Sequence, residues 1–157
     1  MPTAELSKFR FHGHRLEYLH FERQEGAAED GQYHLNIKFE TNVELREVEQ
    51  ESADDNDEET SPPTMCSFVS LRVWIDWEPT PGPFAFELLV RGQFDHHPNM
   101  SPETFEKFST VSGPSILFTH ARPLVRNIMM EAGEQFRLPL LNIRDSIRKL
   151  ETELQDE

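Results

Sequence analysis

The clearest pattern in the chain is an alternation of apolar and polar positions. Tyr33, Leu35, Ile37 and Phe39 alternate with His34, Asn36, Lys38 and Glu40. That period of two predicts a half-buried strand, which Val43 and Leu45 extend. Lys8 to Arg23 carries Phe9 and Phe11 on one face and Leu19 and Phe21 on the continuing face, with Gly13 interrupting them. It reads as one long first strand with a bulge or bend. Val69, Leu71, Val73, Ile75 and Trp77 oppose Phe68, Ser70, Arg72, Trp74 and Asp76. One face is wholly apolar and the other holds two large aromatics, so this strand is expected at the centre of a sheet covered on both sides, with another subunit as the second cover. Pro79-Thr80-Pro81-Gly82-Pro83 is a turn, and Phe84 to Val90, closed by Gly92, is the fourth strand.

The period then becomes helical. Ser101 caps a short helix with Pro102 at its first position and Glu103 on the dipole, and Phe105 and Phe108 share one side. Gly113-Pro114 opens a longer helix. Ile116, His120, Leu124 and Ile128 repeat every four residues, and Leu117, Val125 and Met129 widen the stripe into one broad buried face. Pro123 within it predicts a bend or an unpaired carbonyl, and Gly133 is the C-terminal stop. After a rigid connector at Leu138-Pro139-Leu140-Leu141, Asn142 caps the last helix, with Asp145 in its first turn. Ile143, Ile147, Leu150 and Leu154 form a narrow stripe suited to lying on a sheet or a sister helix. Four strands followed by helices predict a single α+β domain over residues 1–157, with a four-stranded antiparallel sheet and the helices packed on one face.

Composition changes this picture at one place. Hydrophobic residues make up 36% of the chain, a low share that residues 47–64 partly explain, since they are almost wholly acidic, polar or Pro. Such a segment cannot offset its ordering entropy by burial, so a solvated, disordered loop is expected. Asp55, Asp57 and Glu59 alternate as calcium ligands do, but the turn glycine and flanking helices of an EF-hand are missing. The net charge of −14 argues against nucleic acid or an anionic membrane as partner and favours partners with basic patches. Cys66 is the only cysteine, which excludes an intramolecular disulfide and suits a small buried side chain. Without an apolar leader or membrane span, the cytoplasm is the expected compartment.

Candidate chemistry is sparse. His12 and His14 share a strand face and His96-His97 follow another, beside Asp95, but two-residue histidine spacings carry little weight for metal. Asp76 and Glu78 are acids at a strand end in an acidic chain. No nucleophile elbow or phosphate loop is present, so neither catalysis nor a cofactor is expected. The aromatics say more. Phe39, Phe68, Trp74, Trp77, Phe84 and Phe86 exceed what a small sheet under one helical layer needs. Core plus subunit interface would use them, and so would a partly exposed groove for extended polypeptide.

Pro114-x-Ile116-Leu117-Phe118-x-x-Ala121-Arg122 followed by Pro139-x-Leu141-Asn142-Ile143 resembles the SecB export-chaperone family, as do Gly92-x-Phe94 and Phe21-Glu22. The resemblance covers residues 84–143 well and the rest loosely. It implies the same α+β architecture assembled as a dimer of dimers, and an ATP-independent holdase for unfolded or secretion-bound polypeptides. It also implies client grooves lined by the strand of Leu35, Ile37 and Phe39 and by the connector with Leu141. Trp74, Phe84 and Phe86 are added to that client surface from the aromatic surplus. Acidic positions of the family's surface for the SecA motor fall on Glu22 and Glu87, while a third is Tyr18 here. The acidic loop is longer than the family's connection, and the chain stops about where its last helix should, before a SecA-docking tail. SecB-like chaperones of toxin–antitoxin systems are a second expectation. Ile116, Leu124 and Ile128, with the two-faced strand, are the expected subunit interface. Two other classes compete: a hotdog-type enzyme, whose central helix would come earlier in the chain, and a plain structural subunit.

The acidic segment generates the first test. Loop-closure entropy varies slowly with length, so deleting Glu51 to Thr60 should leave the melting temperature and the sedimentation mass unchanged. Loss of the folded protein on deletion would make the segment structural.

Overall fold

The alternation is realised as four long antiparallel strands. A computed structural model describes residues 9–26, 31–48, 64–96 and 100–155, with side chains at 9–12 and 64 outside the description. The elements are β1 (Phe9–Arg23), β2 (His34–Val48), β3 (Thr64–Glu78), β4 (Phe84–His96), α1 (Pro102–Val111), α2 (Gly113–Glu131) and α3 (Ile143–Gln155). The sheet order is β1-β4-β3-β2, so β1 and β2 are neighbours in sequence and occupy opposite edges.

Three strands run further than the sequence reading. β2 and β3 run on to Val48 and Thr64, which takes both ends of the expected loop into the ladder, and residues 49–63 lie outside the described residues. β4 continues past Gly92 to His96, because Gly92 is paired on both sides, with His14 of β1 and Val69 of β3. In β1 the register shifts between Phe11 and Gly13 and again between Leu16 and Tyr18. The expected bulge is there, and a second follows it.

One face of the sheet carries the core. Val69, Leu71 and Val73 of β3 and Leu88 and Val90 of β4 are fully buried beneath the helices. A hydroxyl pair joins the layers, with Ser109 of α1 donating to Ser67 of β3 at 2.8 Å. On α2 the buried residues are Gly113 and Pro114 at its start and then Leu117, Phe118, Ala121, Val125 and Met129. Ile116, Leu124 and Ile128 are only half-buried and His120 is exposed, so the broad stripe is split into a core row and an outward row.

The helix ends follow their sequence signals. Ser101 Oγ accepts from the Thr104 N–H at 3.2 Å, and Asn142 Oδ1 from the Asp145 N–H at 3.2 Å. Gly133, at φ 78°, closes α2 in the left-handed conformation that glycine adopts without strain. Its N–H donates to Met130 and that of Glu134 to Met129. α2 runs as one helix through Pro123. On α3 only Ile143 and Ile147 are buried. Leu150 and Leu154 are 55% and 75% exposed, so the expected four-residue seam covers its first half alone.

The turn before β4 folds under an indole ring. Trp77 Nε1 donates to the Phe84 carbonyl at 2.7 Å, and a Cβ on Gly82 would lie 2.0 Å from Trp77 Cγ. Gly82→Ala should therefore displace the ring, lower stability by about 1–3 kcal/mol and red-shift tryptophan emission, measured by urea unfolding. An unchanged midpoint would show that the turn yields without cost.

Candidate functional site

Leu35, Ile37 and Phe39 share the helix side of β2 with Val43 and Leu45, and all five are half-buried. They pack against the core cluster without being sealed into it. The reason is geometric. α1 is the helix with substantial contact to β2, and its 10 residues span about 15 Å, against about 50 Å for a 15-residue strand. β2 is also an edge strand, so the backbone groups along its outer side have no ladder partner within the described sheet.

The remaining expected client residues do not all join that row. Leu141 does pack half-buried against the same core, and its neighbour Leu140 is 81% exposed. Phe84 and Phe86 are on the helix side too, but they seat the connector. Phe136 lies 5.1 Å from Phe84 and 4.9 Å from Phe86, and Phe86 is 3% exposed. Phe21 stacks on Phe84 at 5.0 Å, Trp77 meets Phe84 edge to face at 5.1 Å, and Tyr33 meets Trp77 at 5.9 Å. Half of the aromatic surplus, Trp77, Phe84 and Phe86, is thus an internal cluster that anchors the return of the chain after α2. Trp74 is on the opposite face, under the Arg72 guanidinium at 4.9 Å, and Phe68 sits likewise under Arg46 at 4.7 Å.

That outer face is a lattice of ion pairs. Lys38 meets Asp76 at 2.6 Å, Arg46 meets Glu44 at 2.9 Å, and Glu17 is shared by Arg15 and Arg91. The hydrogen bond from Arg15 holds the Glu17 carboxyl below the usual carboxylate range. Glu87 accepts from Arg72 Nε at 2.6 Å, and Glu40 lies 3.6 Å from the same guanidinium. Glu22 is exposed beside His20 at 3.3 Å. Glu22 and Glu87 share one face by register, and Glu87 is already engaged. Cross-strand partners such as Arg72 and Glu87 are set by register and carry no signal in sequence spacing.

The histidines fall apart as a metal site. His96 is buried, accepting from the Met65 N–H at Nδ1 (3.3 Å) and donating from Nε2 to the Met100 carbonyl (2.7 Å). These bonds fix its tautomer and tie the end of β4 to β3 and to the residue just before the cap of α1. His14 lies against His120 of α2 with ring centroids 5.1 Å apart and the rings tilted by 30°. The His12 side chain and His97 lie outside the described residues. Among the described residues no group of three or more His, Cys, Asp or Glu could hold a metal ion. Cys66 is buried, and that burial pushes its thiol pKa up. No described helix is long and apolar enough to cross a membrane.

No protein-family model matches the sequence, and no curated protein matches it. The fold is similar to a solved structure of Mycobacterium tuberculosis Rv1957, a SecB-like chaperone, in complex with a ChAD peptide from the Rv1956 HigA1 antitoxin. The TM-score is 0.54 at 15% identity, over 86% of this chain and 91% of that one. The α+β architecture expected from the sequence is thus a SecB-like fold.

The outward row of α2 generates a test of assembly. Ile116, Leu124 and Ile128 leave apolar surface that a second copy would cover, so sedimentation at micromolar concentration should give at least a dimer. A monomeric mass would leave this row a solvated helix face.

Proposed function

We propose that the chain is an ATP-independent holdase that keeps unfolded polypeptides from aggregating by holding their apolar stretches along β2. One observation carries this reading: the row Leu35, Ile37 and Phe39 is apolar, lies on the helix side of an edge strand, and is left half-open. An extended client can pair its backbone with the free side of β2 while its alternate side chains reach the same row. Leu140 and Leu141 add apolar surface on the connector. Nothing in this mode of binding consumes a nucleotide or makes a covalent bond, so the proposed activity is binding alone.

The finer assignment concerns which polypeptides are held. In the first form the protein is a cytoplasmic dimer of dimers, joined through Ile116, Leu124 and Ile128, that delivers secretion-bound clients to a SecA motor docking at Glu22 and Glu87. The Arg72–Glu87 pair works against that docking, because a basic partner must first displace the guanidinium. In the second form the client is an antitoxin. The antitoxin-derived peptide held by the mycobacterial chaperone of similar fold supports this form.

Ile37→Asp tests the shared premise. A charge in a closed core must be desolvated or neutralised, which costs several kcal/mol and unfolds the domain. On a half-open row the fold survives, and the carboxylate opposes the docking of apolar side chains. The expected result is a melting temperature within a few degrees of wild type, with suppression of client aggregation, followed by light scattering without ATP, reduced at least fivefold. Unchanged suppression would move the binding surface elsewhere, and collapsed melting would return Ile37 to the core.

A further inference from the structure

The described basic side chains of the sheet have acidic partners, whereas those of the helices and the connector do not. With 29 acidic residues against 15 basic ones, almost any cation has a carboxylate to spare. On the sheet that opportunity is taken: Arg15, Arg23, Lys38, Arg46, Arg72 and Arg91 each have an acidic partner. Lys107, Arg122, Arg126, Arg137, Arg144, Arg148 and Lys149 have none within ion-pair distance among the described residues, but only Lys107, Arg144 and Arg148 converge, lining one cleft between α1 and α3. The cleft holds about 520 Å³, is walled by Phe108 and Val111 as well, and contains a single acidic side chain, Glu151.

We propose that the α1–α3 cleft is a second docking surface, separate from the β2 row, which takes an acidic polypeptide segment. Its charge fits no other kind of segment: a cleft with three cations and one carboxylate repels basic peptide and keeps a net positive charge against neutral peptide. The surrounding net charge of −14 does not cancel this, because fields between exposed groups are screened beyond about 8 Å at physiological salt. Spacing narrows the occupant further. Arg144 and Arg148 are one helical turn apart, about 6 Å along the axis, and alternate side chains of an extended strand repeat at about 6.6–6.8 Å. A segment of alternating acidic and apolar residues can therefore offer a carboxylate to each arginine and turn its apolar side chains toward Phe108 and Val111.

Fluorescence anisotropy of a labelled eight-residue peptide of alternating Glu and Leu tests this, with a Gln–Leu peptide as the uncharged control. The Glu peptide should bind the wild-type chain at least about tenfold more tightly than an Arg144→Glu/Arg148→Glu chain, since two reversed contacts of ordinary surface strength suffice for that. The control should bind both chains alike. Position 144 lies in the first turn of α3, where an acid suits the helix dipole, so circular dichroism should not change. Lys107→Gln, on the opposite wall, should by itself weaken the Glu peptide about threefold. Equal affinity of wild-type and reversed chains for the Glu peptide overturns the proposal. So does tenfold tighter binding by a chain lacking Glu51 to Thr60, which would make the protein's own acidic stretch the occupant. Arginine-dependent binding of a single-stranded DNA octamer would overturn it as well, by making the cleft a site for polyanions in general.

Discussion

Everything in this fold depends on how few strands a helix can cover. A helix is about 10 Å across and strands lie about 4.8 Å apart, so one helix shields roughly two strands. α2 spends its buried face on β3 and β4, where Val73 and Leu88 lose all exposure. α1 is too short to do the same for β2. Closing β2 would take a longer α1 or a third helix lying on the sheet, and α3 instead packs on α1 and α2. The open apolar row follows from this shortage of cover and needs no special residue to create it. The same shortage leaves the outward row of α2 half-wet.

The outer face of the sheet solves a different problem. It has no helical cover at all, and its polarity is organised as neighbours satisfying neighbours, with Arg72 bridging Glu87 and Glu40 while lying over Trp74. Exposed pairs of this kind add little stability each. They do keep large aromatics on a wet face from forming a sticky patch, because a guanidinium caps each of two rings. The price is that Glu87 is less available to an outside partner than its exposed position in sequence suggests.

The strands, the caps and the order of elements were legible because each depends on local chemistry: alternation, a proline at a first turn, a glycine past a last one. Ser101, Asn142 and Gly133 behave as their residue types require. What was not legible depends on register and on competition for cover. Phe86 and Trp74 look equivalent in sequence, yet one is closed under Phe136 and the other faces water on the opposite side. The α2 stripe was read as one face because spacing alone cannot say where the sheet ends beneath it. Leu150 and Leu154 continue a pattern whose partner surface stops after Ile147. The grouping of Lys107 with Arg144 and Arg148 had only a faint signal, an i, i+4 arginine pair, since their meeting depends on how α3 returns across α1.

The strand order also dictates a history for each molecule as it is made. β1 emerges first but pairs only with β4, so that Arg23 waits for Phe84 and Phe9 for His96. At about 5–20 residues per second the ribosome needs on the order of 10 s to supply that partner. β2, β3 and β4 can zip as successive neighbours during this interval, whereas β1 has no strand to pair with and is left an aromatic-rich segment. Long-range closure of this kind is the slow step of β-containing folds. Each newborn chain thus passes through a state with the features of the polypeptides it is proposed to hold, and mature copies nearby would be suited to protect it.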